Sequence, residues 1–333
     1  MIIPVKTNTG EYNIYLQRGF LSEAHTVLKL NRKVLIVTDS GVPEIYAQRV
    51  AKQCDRPVIV TIPQGEQSKS FENFKMLLEQ MVKNGFTRTD CVVAVGGGVL
   101  GDLSGFVASS FMRGIDFYNI PTTVLSQVDS SIGGKVAIDF CGYKNIVGAF
   151  YPPKAVIIDP DTLKTLNERQ ISNGLAESVK MSITSDASLF EIFENDNIEE
   201  NIDLIIEKSL NIKKAVVEAD EKETGVRKIL NFGHTIAHGI ESQNNLKELY
   251  HGECVALGMI PMCSAEVKPR LLKVLKKLNL PTDFDYDTDK VFEAISHDKK
   301  AMGKDITVIT APKIGKYEMK TLSLAKFHDY LKR

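Results

Sequence analysis

Between residues 33 and 125 the chain alternates short apolar runs with longer stretches of helical spacing. KVLIVTD (33–39) is a buried-strand run ending in an acid, and VPEIYAQRVAKQC follows with helical periodicity. PVIVTIP (57–63) is the next strand and FENFKMLLEQMVKNGF (71–86) the next helix. CVVAVGGG (91–98) runs into glycines, and FYNIPTTVL (117–125) reads as a further strand. This alternation predicts a parallel sheet with helices on both faces. Ligands of such sheets bind beyond the carboxyl ends of the strands, at a topological switch point.

After about residue 155 the strand signals fade and the period becomes helical. Helices are predicted over 170–184, 186–195, 198–219, 231–245, 252–266, 268–278 and 289–298. DITVITAPKIGKYEMKTLS (305–323) reads as a terminal β-hairpin. Two prolines in YPPK (151–154) mark a boundary. The expected organisation is an α/β domain over 1–152 and an all-α domain with a small β appendage over 153–333. There is no internal repeat and no low-complexity tract.

Composition narrows the class. At 333 residues the chain is long enough for two real cores. A net charge of -1 supplies no general field for nucleic acid or membrane, so any anion site must be a local cluster of cations. MIIPVKTNTGEYNIYL has no long apolar region, so no secretory signal is expected, and no apolar run is long enough to span a bilayer. The five cysteines (54, 91, 141, 254, 263) are scattered, with no C-x-x-C pair; reduced thiols in a cytoplasmic protein are the plain reading.

GGGVLG (96–101) satisfies G-x-G-x-x-G where a strand gives way to a helix, a place where backbone N–H groups can cradle a pyrophosphate. It follows the third strand read here rather than the first, so a plain tight turn competes with that reading. Asp116 falls in the window for a ribose-binding acid. PQGEQSKS (63–70), also after a strand, offers Glu66 and Lys69 at the same sheet edge. VDSSIGGKVAIDFCGYKNIVGAF (128–150) sets Asp129, Lys135, Lys144 and Asn145 among glycines and apolar residues. So apolar a loop is expected to be packed, and packed lysines need anionic partners.

The helical half places charge where apolar residues belong. Lys213 falls in the stripe of Ile202, Ile205, Ile206, Leu210, Val216 and Val217; the bland alternative is a snorkelling stem. NGLAESVKMSI puts Asn173, Glu177 and Lys180 on one helix face, where a surface ion pair would be worth at most about 1 kcal/mol. NFGHTIAHGIE (231–241) sets Asn231, His234, His238 and Glu241 opposite an apolar stripe of Phe232, Ile236 and Ile240. The histidine spacing matches the H-E-x-x-H zinc pair, but Thr235 stands where that motif has glutamate. Arg227 lies just before this segment, and His251 opens the next helix, a position more often a cap than a ligand. Catalytic zinc takes three N/O ligands and keeps an open position. Glu177 with two histidines would suffice, and spacing alone nominates His234 and His238.

The stretches GGGVLGDLSGFVASSFMRG, PTTVLSQVDSSIGGK, KNIVGAFYPP, LAESVK, LNFGHTIAHGIE, HGECVALGM and HDKK, in this order, resemble the 3-dehydroquinate synthases, which are sugar-phosphate cyclases of the shikimate pathway. The likeness covers nearly the whole chain. It implies a Rossmann-like NAD-binding domain followed by a helical metal-binding domain, with the active site between them. The metal, zinc or cobalt, would be held by Glu177, His234 and His251, leaving His238 to the substrate. Substrate contacts would fall to Arg113, Lys135, Asn145, Lys180, Lys213, Arg227, Asn231, His238 and either Lys299 or Lys300. Of these, Lys135, Lys180, Lys213 and His238, together with Asp129, would carry the catalysis. NAD would be held by Asp39, Glu66, Lys69, Gly97, Gly98, Val99, Asp102, Thr122, Thr123, Lys144, Thr162 and Thr165. The resemblance also implies a homodimer in which Arg113 reaches the neighbouring active site.

The sequence departs from the family pattern at Val136 (commonly threonine), at Tyr143 (commonly glycine) and in MCSAEVKPRLL, which is shorter than the usual helix–loop–helix. The implied reaction converts 3-deoxy-D-arabino-heptulosonate 7-phosphate to 3-dehydroquinate and phosphate by transient oxidation, elimination, re-reduction and aldol closure. Its rivals are another cyclase, a metal-dependent alcohol dehydrogenase of the same fold, and an idle NAD- or metabolite-sensing protein, to which an open metal position would be of no use.

Overall fold

The computed structural model describes residues 1–244, 248–299 and 305–331. The chain forms two compact units, Met1–Leu166 and Asn167–Arg333. The expected boundary at 152/153 moves to 166/167, because Ala155–Ile158 is a wholly buried strand of the first unit's sheet.

In the first unit the strands are β1 (Ile2–Thr7), β2 (Gly10–Leu16), β3 (Lys33–Asp39), β4 (Arg56–Ile62), β5 (Cys91–Gly96), β6 (Asp116–Pro121), β7 (Lys135–Phe140), β8 (Tyr143–Phe150) and β9 (Ala155–Ile158). The helices are α1 (Glu44–Ala51), α2 (Phe71–Lys83) and α3 (Gly98–Ser110). Seven strands make one sheet in the order β1-β2-β9-β6-β5-β3-β4, parallel except for the β1–β2 pair. Successive residues of the central strands serve opposite cores. Val34, Ile36, Val93 and Val95 face α1, whereas Leu35, Val37, Val92 and Ala94 face α2 and α3. Burial on both faces explains why these strands read as continuous apolar runs rather than as alternation. From β3 the chain goes outward to β4 and then back across to β5. The switch point therefore lies at the carboxyl ends of β3 and β5, where Asp39 and the glycines stand.

The first 32 residues contribute the β1–β2 hairpin, whose buried positions Ile3, Val5, Tyr12, Ile14 and Leu16 alternate with period two. The segment expected to be a packed loop is the antiparallel β7–β8 hairpin. Cys141 and Gly142 form its two-residue turn at φ 51° and 82°, the left-handed pair that tight hairpins require.

In the second unit the helices are α4 (Glu168–Ser185), α5 (Ala187–Asn195), α6 (Ile202–Ala219), α7 (His234–Asn244), α8 (His251–Met259), α9 (Val267–Lys277), α10 (Thr288–Lys299) and α11 (Leu324–Leu331). Strands β10 (Asp305–Lys313) and β11 (Lys316–Ser323) form the expected hairpin. Helix α4 is buried from Ser172 to Thr184 and is the unit's central post. Asn167 caps its start, accepting the Gln170 N–H at 2.9 Å. Three predicted helices are shorter than expected, and the first of them, α6, begins at Ile202 rather than at residue 198. Gly233 at φ 77° ends a 3-10 segment, so α7 begins at His234 and not at residue 231. Pro261 lies in the single 3-10 turn Ile260–Met262, which closes α8 before residue 266. The joint to α9 is tight, and the Ser264 N–H donates to the Ala311 carbonyl at 3.0 Å.

Candidate active site

Helix α4 carries Glu177 inward, about 1% exposed, while His234 and His251 are the first residues of α7 and α8. Close helix approach sets them in register. A Cβ on Gly258 would meet the Gly233 carbonyl at 2.1 Å, and one on Gly252 would meet the Asn173 carbonyl at 1.9 Å. The Gly252 N–H donates to Asn173 Oδ1 at 2.6 Å, pinning the start of α8 to α4. Glu253 accepts the Tyr250 N–H at 2.7 Å and takes both Arg169 nitrogens at 2.7 and 2.8 Å, closing the cap.

Glu177 Oε1 lies 3.4 Å from Nε2 of His234 and 3.4 Å from Nε2 of His251, and the three donor atoms all lie within 4.8 Å of one another. Ligands at ~2.05 Å around a tetrahedral zinc ion stand ~3.3 Å apart, close to the two separations from Glu177. Neither Glu177 oxygen makes a well-formed hydrogen bond; Oε2 pairs instead with the buried Lys180 ammonium. Burial would push the Glu177 carboxyl up, but Lys180 and the two imidazoles hold it well below the usual carboxylate range. Burial and the Lys180 charge push His234 well down, into the neutral form that a ligand requires. Burial would lower His251 too, yet the neighbouring carboxylates of Glu177 and Glu241 raise it to about 10. His234 Nδ1 donates to the Phe232 carbonyl at 3.2 Å, and His251 Nδ1 lies 2.6 Å from Glu241 Oε1, so each Nε2 is turned toward Glu177.

The pair nominated by spacing, His234 with His238, is thus not the cluster found. His238 is exposed, its ring 5.5 Å from that of His234, and His251 takes the third corner. Lys180, Lys213 and Arg227 are all buried, at 2%, 5% and 4% exposure. The Glu177–Lys180 pair is therefore no surface pair, and Lys213 does not snorkel. Arg227 donates to the Glu221 carbonyl, and Asp220 holds its loop by accepting the N–H groups of Thr224, Gly225 and Arg227. Asn231 donates to Glu223 Oε1 at 2.6 Å. The Lys299 side chain and all of Lys300 lie outside the described residues.

The first unit gathers most of the residues implied for NAD at the carboxyl edge of its sheet. Asp39 accepts the Gly41 and Val42 N–H groups at 2.8 and 3.1 Å, and burial raises its carboxyl. It lines a cleft of about 560 Å³ with Thr38, Gly41, Glu44 and Thr61. Gly97 caps α3 without a side-chain hydrogen bond, so no capping side chain covers the first N–H groups of the helix, at Gly98 and Val99. Lys69 is buried 2.5 Å from Asp102 and 3.9 Å from Glu66. Burial alone would lower its ammonium, but Asp102 and Glu66 hold it above its ordinary value. Thr122 donates its N–H to Gly96, and Thr123 Oγ1 lies 2.8 Å from Ser126 Oγ. Gln127 ties Pro121 to Thr162, and Tyr46 lies 3.1 Å from Thr165 Oγ1. Asp129 follows, half-buried, in a short π-helical turn.

Other residues stand apart. Asp116 begins β6, at the amino end, and pairs with Arg32 at 2.8 Å, so it is no ribose acid. Lys135, Lys144 and Asn145 lie exposed on the β7–β8 hairpin, because Val136 and Ile138 take the buried positions. They are not the packed cations expected of a loop. Arg113 is exposed within three consecutive left-handed residues, Met112, Arg113 and Gly114.

A doubly wound parallel sheet with a glycine-lined edge, followed by a helical unit, is a two-unit fold found both in sugar-phosphate cyclases and in an iron-containing alcohol dehydrogenase. Over the whole chain the fold matches 2-deoxy-scyllo-inosose synthase at a TM-score of 0.87 and 24% identity, covering 100% of this chain and 99% of that one. It also matches 2-epi-5-epi-valiolone synthase from Streptomyces hygroscopicus subsp. jinggangensis 5008, solved with NAD+ and Zn2+ bound, at 0.87 and 25% over 98% and 97%. An iron-containing alcohol dehydrogenase scores 0.65 at 14% identity over 98% of each chain. Family models for the N-terminal and C-terminal parts of 3-dehydroquinate synthase match residues 59–173 and 174–301. The 3-dehydroquinate synthase of Streptococcus suis (strain 05ZYH33) is 38% identical over 99% of each chain, and that of Campylobacter concisus (strain 13826) 40% over 93% and 92%. The chain belongs to the 3-dehydroquinate synthase family. Its alignment with the Streptococcus suis relative runs to 353 positions, longer than the chain, so the relative carries residues absent here.

Proposed function

We propose that the protein converts 3-deoxy-D-arabino-heptulosonate 7-phosphate to 3-dehydroquinate and phosphate, as a lyase dependent on NAD and a divalent metal. The observation that carries the reading is the Glu177–His234–His251 set, with donor spacings of 3.4 Å from one carboxylate oxygen, in a unit that also buries three cations. Bound NAD+ would supply a reversible oxidation at C5; the ketone so formed makes the neighbouring C–H acidic enough for phosphate to leave by β-elimination, before the hydride is returned. Glu177, His234 and His251 would hold the divalent ion, zinc or cobalt, whose Lewis acidity would ease deprotonation of the hydroxyl to be oxidised.

This chain's residues do the rest. Asp39, the first N–H groups of α3 and the Lys69–Asp102 pair hold the dinucleotide. The substrate brings a carboxylate and a phosphate, about three negative charges. Lys180, Lys213 and Arg227 receive it; at an effective dielectric of ~20, one pair at 4 Å is worth roughly 4 kcal/mol before desolvation costs. His238 and Asn231 orient it from the exposed side of the histidine segment. The resemblance adds Lys135, Asn145 and one lysine of HDKK as substrate contacts, and Asp129 as a catalytic residue. The working form is a homodimer that presents Arg113 to its neighbour; the strained turn at Met112–Gly114 is the kind of backbone that function maintains. Five free thiols suit a reducing cytoplasm, and among the described residues no helix is long and apolar enough to cross a membrane.

The test is incubation of the purified protein with zinc, catalytic NAD+ and the heptulosonate phosphate. Phosphate and dehydroquinate should appear in equal amounts with no lasting NADH absorbance. Lasting NADH without phosphate would mean a dehydrogenase, and no turnover an idle scaffold.

A further inference from the structure

The two imidazoles of the metal set are held in different ways. His234 donates Nδ1–H to the carbonyl of Phe232, two residues back in its own chain segment. That support is backbone and comes with the turn at Gly233. His251 has no such local partner for its outer nitrogen; it opens α8, and Nδ1 faces the carboxylate of Glu241 across the helix packing, at 2.6 Å. Glu241 is seven residues after His234, hence on the same face of α7, and is about 8% exposed. One helix therefore supplies one ligand outright and the support of another. A buried carboxylate is costly to keep unless its charge is used. Behind a metal-ligating imidazole it fixes ring orientation and tautomer and strengthens the opposite nitrogen as a donor.

We propose that Glu241 is the positioning residue of the metal centre, holding the His251 ring so that Nε2 faces Glu177 and the ion. The inference rests on the reading of Glu177, His234 and His251 as ligands. It assigns to Glu241 no contact with substrate or with the ion.

The test is zinc affinity by competition with a chromophoric chelator, together with the visible spectrum of the cobalt-loaded protein. Glu241→Ala should weaken zinc binding by about ten- to a hundredfold and alter the cobalt bands, with NAD affinity unchanged. Glu241→Gln keeps the shape and an accepting oxygen but not the charge; its affinity should lie between those of Ala and the parent. If the Ala variant does not fold, the Gln variant alone decides, and a parental affinity and spectrum in it overturn the proposal. His251→Ala separates the two levels of the argument. If it loses zinc while both Glu241 variants keep it, only the role of Glu241 fails. If it binds zinc like the parent, the ligand reading itself fails.

Discussion

At the scale of single residues, buried charge is the signature of this protein. Lys213 sits in an apolar helical stripe and is buried, so its ammonium belongs to the interior rather than to the surface. Lys213→Met keeps the stem and removes the charge. It should lower kcat/KM on the order of a hundredfold or more, given the size of one such pair. Circular dichroism and zinc affinity should stay parental, and turnover within a few-fold of the parent would remove Lys213 from the cation cluster. His251 gives a pH dependence whose sign is fixed by its upward shift from 6.5 to about 10. In the metal-free protein its stabilising charge is fully present below pH 6.5 and is lost as pH rises toward 10. Zinc must displace that proton, so its affinity should climb through the same window. Thermal unfolding against pH, with and without zinc, should show the metal-free protein losing stability above pH 6.5 and the loaded protein not following it. Spacing along one helix could nominate His238 but not His251, which approaches Glu177 from the start of a different helix.

Elements explain why some of the architecture was readable and some not. Strands β3 and β5 announce themselves because burial on both faces makes them unbroken apolar runs. The β7–β8 hairpin hides behind glycines and lysines, although Val136 and Ile138 already alternate and Cys141–Gly142 is its turn. The period-two signal in β1 and β2 was present as well, in Ile3 and Val5 and in Tyr12, Ile14 and Leu16, but it has no long run to attract notice. Helix ends were the weakest reading, since Gly233 and Pro261 each cut a helix inside its periodic pattern. The α4–α8 contact makes an element-scale prediction. Gly252→Ala drives a methyl group into backbone, the Asn173 carbonyl at 1.9 Å, and should cost about 1–3 kcal/mol. Because His251 is the next residue back, zinc affinity should fall with it. Urea unfolding and chelator competition on the same variant check both; loss of neither would mean that the contact relaxes freely.

For the whole molecule, the sequence separated a sheet unit from a helical unit but placed the seam at the prolines. The seam lies later because β9 pairs with both β2 and β6 inside the first sheet, a long-range pairing no local pattern reports. The metal set has a similar origin: three residues spread from 177 to 251 meet because glycines let α7 and α8, and α4 and α8, touch at backbone distance.

Glu177 turns one oxygen to both imidazoles and the other to Lys180. A cation held by the first oxygen drains charge from the second and loosens its grip on the ammonium, which then has more to offer an incoming anion. Thermodynamic reciprocity demands the converse, that an anion occupying Lys180 tightens the grip on the cation by the same factor. A non-hydrolysable phosphonate of the substrate should therefore slow stripping of zinc by chelators, and Lys180→Met should erase that protection.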